Sequence, residues 1–236
     1  MTDEVVTLEG RAPTPVARGK LVGWVALVSV LAGLAYTANV ADSGDPDRDL
    51  LYQWASAVGG AVQYGVILGV VLLIARGLDR RTLGLQPPGS WGRALGLGVV
   101  ALVAIWVVGG VLNTVLQAGE EQGLVPDGWD SSRAAPFIAN FVVVAMVAPV
   151  VEELTFRGLG YATVGSVLGP VWTVLVTGLA FGLAHGLVVA LPILSIFGVL
   201  LGWLRWKTDS LYPPIALHAV FNAAALIAAV TLGDSV

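Results

Sequence analysis

The chain has 236 residues, 56% of them hydrophobic and 12% charged, with 30 glycines, eight tryptophans and no cysteine. A soluble domain is about a quarter charged, so this composition points away from one and toward an integral membrane protein, in which Gly and interfacial Trp are enriched. The lack of cysteine excludes disulfides, thiolate-held metals and thiol catalysis. A net charge of −4 with no basic run longer than Arg80-Arg81 argues against nucleic acid as a partner.

Residues 1–20, with two prolines and mixed charge, read as a cytoplasmic N-terminal tail. A helix needs about 20 mostly apolar residues to cross a hydrocarbon layer of ~30 Å. Seven stretches are predicted to do so: Leu21–Val40, Leu51–Gly77, Ala94–Gln117, Pro136–Gly160, Gly169–Leu191, Pro192–Trp206 and Pro214–Leu232. The first is too long for the apolar core of a signal peptide and reads as an uncleaved anchor. The predicted fold class is therefore all-α, a polytopic transmembrane helix bundle of about seven spans. Its expected parts are the tail, N-terminal helices over 21–134 and a second set of helices over 135–232.

Charge sets the orientation. With the N-terminus inside, the inner segments hold Arg11, Arg18, Lys20, Arg76, Arg80, Arg81, Arg93, Arg157, Arg205 and Lys207, and the outer ones hold Arg48 and Arg133. Ten against two is a positive-inside bias, and it predicts a cytoplasmic N-terminus in the cell membrane. The outer connections are acidic, with Asp42, Asp45, Asp47 and Asp49 in one and Glu120, Glu121, Asp127 and Asp130 in another. Trp91, Trp129, Trp203 and Trp206 lie near predicted boundaries, where indoles serve as anchors. Residues 158–168 are expected along the inner interface.

A charge in hydrocarbon costs about 2.5–3.5 kcal/mol even on the lenient insertion scale, so intramembrane polar groups stand out. Here they gather in the last hundred residues: Glu152, Glu153 and Arg157, then His185, then His218 and Asn222, including both histidines of the chain. Glu153 and Arg157 are i,i+4 with the acid first, the favourable order for an intrahelical ion pair. Glu152 points about 100° away, which leaves it free to face a cavity. His218 and Asn222 share a face, and Phe181 lies one turn from His185.

Such a set suits amide hydrolysis. A carboxylate takes a proton from water, an imidazole relays it to the leaving amine, and a second imidazole with an amide N–H stabilises the oxyanion. Glu152, His185 and His218 also make a zinc-hydrolase ligand set, and spacing does not separate the two mechanisms. The cofactor is thus open between a divalent metal such as zinc and none. Counted at 1.5 Å per residue, Glu152 and His218 fall inside the midplane and His185 outside it. That predicts a site near the midplane, reached from the inner side.

Three motifs in order carry a family resemblance. Glu152-Glu153-Leu-Thr-Phe-Arg157 matches Glu-Glu-x-x-x-Arg, Phe181-Gly-Leu-Ala-His185 matches Phe-x-x-x-His, and His218-Ala-Val-Phe-Asn222 matches His-x-x-x-Asn. Over about 135–232 the chain resembles the CPBP family, which comprises type II CAAX prenyl proteases and bacteriocin-processing or immunity (Abi) proteins. The resemblance implies an intramembrane endopeptidase acting on a membrane-anchored protein or peptide, with the lipid bilayer as its other partner. It implies Glu152 as the water-activating residue, His185 as its assistant, His218 and Asn222 as the oxyanion site, and Glu153 with Arg157 in support. Members are often called metalloproteases. Thr155 and Asp209 depart from common family residues outside the six polar positions. The alternatives are a non-catalytic scaffold or immunity protein on the same fold and a transporter or proton relay, although paired halves are not visible in the sequence.

Overall fold

The computed structural model describes residues 16–41, 47–118, 121, 126 and 128–232. The tail up to residue 15, together with Asp42, Asp45, Glu120 and Asp127 of the expected acidic loops, lies outside the described residues. Among the described residues there are seven main helices and no strand: α1 (Arg18–Ala41), α2 (Trp54–Ile74), α3 (Trp91–Leu116), α4 (Ser131–Gly165), α5 (Pro170–Leu183), α6 (Leu191–Thr208) and α7 (Tyr212–Leu232). Five of them (α1 to α4 and α7) are long and apolar enough to cross a membrane. The chain is an integral membrane helix bundle.

The predicted fifth and sixth spans are corrected. The α5 helix has 14 residues, about 21 Å at 1.5 Å per residue, and cannot fill a ~30 Å layer. The sequence reading carried it on through apolar residues 187–191. Gly186 stops it by taking a left-handed φ of 69°, and a Cβ there would overlap the Ala35 backbone of α1. The α6 helix runs for 18 residues and starts at Leu191-Pro192, where proline's missing N–H costs nothing. Together α5 and α6 form a short, tight hairpin. A Cβ on Gly198 would sit 2.6 Å from the Gly178 carbonyl oxygen, and such small residues let helix backbones approach.

The α4 helix is the centre of the bundle: 44% of its apolar window is buried, against 11% for each of α1, α2 and α3. It does not stop near Gly160 to run along the interface, but continues to Gly165. Two wide π stretches interrupt it, Val143–Val147 and Leu154–Gly160. The first precedes Pro149, whose ring cannot fit a regular turn and supplies no N–H. The second frees the Thr155 carbonyl, which accepts a 3.0 Å hydrogen bond from the Trp24 indole of α1. On α1, α2 and α3, exposed valines, leucines and tryptophans such as Val22, Val62, Leu95 and Trp106 form the lipid-facing surface.

Contacts sort the loops into two ends. At one, Lys20 Nζ donates to the carbonyls of Ile74 and Arg76, closing the C-terminus of α2, and the 75–90 loop packs on the α6–α7 turn through Leu211 N to Gly84 O at 2.8 Å. This end carries the Lys/Arg excess. Arg157 leaves that count, because it is fully buried inside the bundle. At the other end Arg133 bridges Asp49 at 2.7 Å and Asp130 at 2.6 Å. The Tyr52 hydroxyl donates to Gly128 O at 2.6 Å, and the Glu121 carboxylate accepts from Val188 and Ala190 N–H, each at 2.7 Å.

Hydrogen bonds from Ser132 and the Arg133 guanidinium hold the Asp130 carboxyl at about 2, below its ordinary 3.8. Its folded value is depressed, so its stabilising effect is present above the ordinary value and is lost as pH falls toward the folded one. Asp130→Ala is expected to lower the thermal midpoint at neutral pH, with the difference from wild type closing between pH 3.8 and about 2. A difference that persists below that window would contradict this role.

Candidate active site

All six polar positions singled out in the sequence fall in one region. On α4, adjacent Glu152 and Glu153 diverge as expected. Glu153 is fully buried and meets Arg157 Nη1 at 2.9 Å across one turn. Arg157 Nη2 donates to Gly198 O of α6 at 2.7 Å, and its guanidinium lies 4.6 Å over the Phe181 ring of α5. The pair is thus an internal brace joining α4, α5 and α6. Burial makes it costly to break, because either partner alone would be an uncompensated charge.

Glu152, on the neighbouring face of α4, is 16% exposed and looks into a cavity of about 600 Å³. Tyr64, Glu152, His185, His218 and Asn222 all line that cavity. His218 Nδ1 is 3.0 Å from Glu153 Oε1 and its Nε2 is 3.7 Å from Glu152 Oε2. A carboxylate accepts only, so Nδ1 carries the proton and Nε2 is turned to Glu152 and the cavity. His185 Nδ1 donates to the Phe181 carbonyl at 2.7 Å, which leaves its Nε2 as the reactive nitrogen. The ring of Phe181 stands 4.6 Å from the His185 ring and 5.7 Å from the His218 ring, and Phe197 closes on His218 at 5.0 Å. These aromatic walls set both imidazoles.

Asn222 donates through Nδ2 to Val144 O at 2.9 Å. That carbonyl belongs to the first π stretch of α4, where the widened turn makes it available. One Nδ2 hydrogen is spent there and the second remains for the cavity. Pairing Asn222 with the α4 backbone was not legible from its spacing to His218.

The depth mismatch between His185 and the other groups disappears in the hairpin: α5 ends at Leu183 and its terminal turn carries His185 to the same cavity. The expected approach from the inner side is not what the lining describes. From Glu152 the lining runs through Ile105, Leu112 and Leu226 to Ala229. Leu112 and Ala229 lie near the C-terminal ends of α3 and α7, opposite the Lys/Arg-rich end.

Sequence reasoning missed Tyr64. Its hydroxyl lies 2.7 Å from Glu152 Oε1, and it comes from α2, far from the three motifs. A lone phenol inside an apolar span was the available signal. The metal reading fares differently. Among the described residues no group of three His, Asp or Glu side chains is placed to hold a metal ion. Glu152, His185 and His218 share the cavity without converging as a ligand set.

Residues 134–224 match the family described as type II CAAX prenyl endopeptidase Rce1-like. This segment holds all six motif residues and both π stretches. It is an Rce1-like core. The match supports a CAAX-type protease hydrolase, in agreement with the CPBP resemblance. A protein of Bacillus subtilis (strain 168) described as "Putative membrane peptidase YdiL" is 24% identical over 189 residues, covering 78% of this chain and 76% of that protein. No solved structure gives a significant match. The Rce1-like core begins at the start of α4, so α1 to α3 and the Tyr64 contact lie outside it.

Proposed function

We propose that the chain is an intramembrane endopeptidase of the cell membrane that hydrolyses a peptide bond of a membrane-anchored protein or peptide. Its catalytic part is 135–232, and the helices over 21–134 complete the cavity wall with the N-terminus on the cytoplasmic side. The observation that carries this reading is a half-buried carboxylate beside an imidazole edge, within an otherwise largely apolar cavity. A carboxylate that faces such a cavity is placed to take a proton from a water molecule held there.

Glu152 takes a proton from a water molecule, which attacks the scissile carbonyl carbon. His185, with Nδ1 committed to Phe181 O, receives that proton from Glu152 at Nε2 and passes it to the leaving amine, which restores the carboxylate. The oxyanion is stabilised by His218 Nε2 in its protonated form and by the second Nδ2 hydrogen of Asn222. Glu153 and Arg157 act by holding His218 and the three surrounding helices.

His185→Ala is expected to slow the appearance of new protein N-termini in membranes containing the protein by roughly 100-fold, with the amount of folded protein unchanged. An undiminished rate would remove His185 from the reaction.

A further inference from the structure

We propose that Tyr64 is a positioning residue for Glu152: its phenol donates to Oε1 and fixes the carboxylate with Oε2 toward His218 and the cavity. The inference rests on the peptidase reading above and adds to it a residue from outside the Rce1-like core, which spans 134–224.

The geometry gives Glu152 few other restraints. A glutamate side chain has several torsions and loses appreciable rotamer freedom when held. His218 Nε2 stands 3.7 Å from Oε2, beyond hydrogen-bond length, and its Nδ1 is already engaged with Glu153. Arg157 is turned away, on Glu153 and the Gly198 carbonyl. The Tyr64 hydroxyl at 2.7 Å is therefore what ties Glu152 in place among the described side chains. At that length a neutral donor on a carboxylate is a strong, charge-assisted bond.

Position on the chain supports the assignment. Tyr64 sits mid-way along α2, and both it and Glu152 line the same cavity. Elsewhere α2 presents apolar side chains such as Val58, Val62 and Val66 to lipid. A phenol in such a span must find an acceptor, and it has found the carboxylate that the reaction uses. Because Tyr64 engages Oε1, the other oxygen is left to meet water. Tyr64 acts through Glu152 and is not itself assigned contact with substrate.

Two measurements test this. In protein labelled with 13C at the tyrosine ring carbon that bears oxygen, Tyr64 is assigned as the signal missing in Tyr64→Phe. Its shift is expected to change in Glu152→Ala while the other four tyrosine signals hold. A Tyr64 signal unaffected by Glu152→Ala overturns the contact. In the second, Tyr64→Phe keeps the ring and removes only the hydroxyl, and is expected to lower kcat by roughly 10-fold with KM within about twofold, as loss of one hydrogen bond to a charged group implies. The probe is a peptide spanning the bond cut in membranes that contain the wild-type protein. A loss confined to KM, or wild-type kcat in folded Tyr64→Phe, overturns the positioning role. Glu152→Gln distinguishes the two failures. If it cleaves like wild type, Glu152 is not the base and the proposed mechanism falls, whatever Tyr64 does. If it is inactive while Tyr64→Phe is fully active, Tyr64 alone is misassigned.

Discussion

Glu152→Gln is expected to reduce peptide-bond cleavage roughly 1,000-fold, the scale of a lost general base, while leaving the fold intact. Glutamine has nearly the same shape, and its carbonyl oxygen still accepts from Tyr64 at the position now held by Oε1. What it lacks is a basic oxygen to take the proton of water. Glu152 is also partly exposed to the cavity, so the change leaves no buried charge without a partner. Turnover in reconstituted membranes, measured beside the thermal midpoint, checks both halves of this statement. Substantial activity in Glu152→Gln would contradict the assignment of the base.

Arg157→Leu is expected to have the largest effect on stability, about 3–5 kcal/mol, the cost of removing one partner of a buried ion pair. Glu153 would remain wholly buried with its cation gone. The 2.7 Å bond to Gly198 O and the stacking over Phe181 would go with it. Because those groups hold α5 and α6 against α4, activity should fall together with stability. Removing both charges at once, as Glu153→Gln with Arg157→Leu, should recover much of the stability, since no lone charge is then left inside. Equilibrium unfolding in mild detergent measures the series. A single variant as stable as wild type would show that the pair contributes little.

The site was legible in the sequence to the extent that it is built from local spacing and from the cost of polarity in lipid. Glu153 and Arg157 pair across one helical turn because i,i+4 places them there, and Glu152 diverges because adjacent residues on a helix must. Both histidines and Asn222 stood out because little else in the apolar segments is polar. What escaped were features set by tertiary packing. The length of α5 depends on Gly186 passing close to Ala35, a contact between residues about 150 positions apart. Hydropathy alone reads straight through that position. The π stretches of α4 follow from Pro149 and from partners on α1 and α7, and they in turn place Val144 O and Thr155 O for Asn222 and Trp24. Arg157 was counted among the cations of the inner face because it falls near a predicted helix end, whereas α4 runs on past it to Gly165.

The arrangement also separates two tasks. In the proposed reaction, motif residues of the Rce1-like core supply the reacting groups and their brace. Helices α2 and α3, outside that core, supply Tyr64 and the apolar wall through Ile105 and Leu112. The cavity wall is therefore completed by a part of the chain that the family match does not cover.

The most direct test of peptidase activity compares protein N-termini in membranes containing the wild-type chain with those in membranes containing equal amounts of folded Glu152→Gln. The account predicts a set of new N-termini that appears with the wild type and is lost with the variant, each lying in or next to a membrane-anchored segment. The same new N-termini from both, at equal rates, would contradict it.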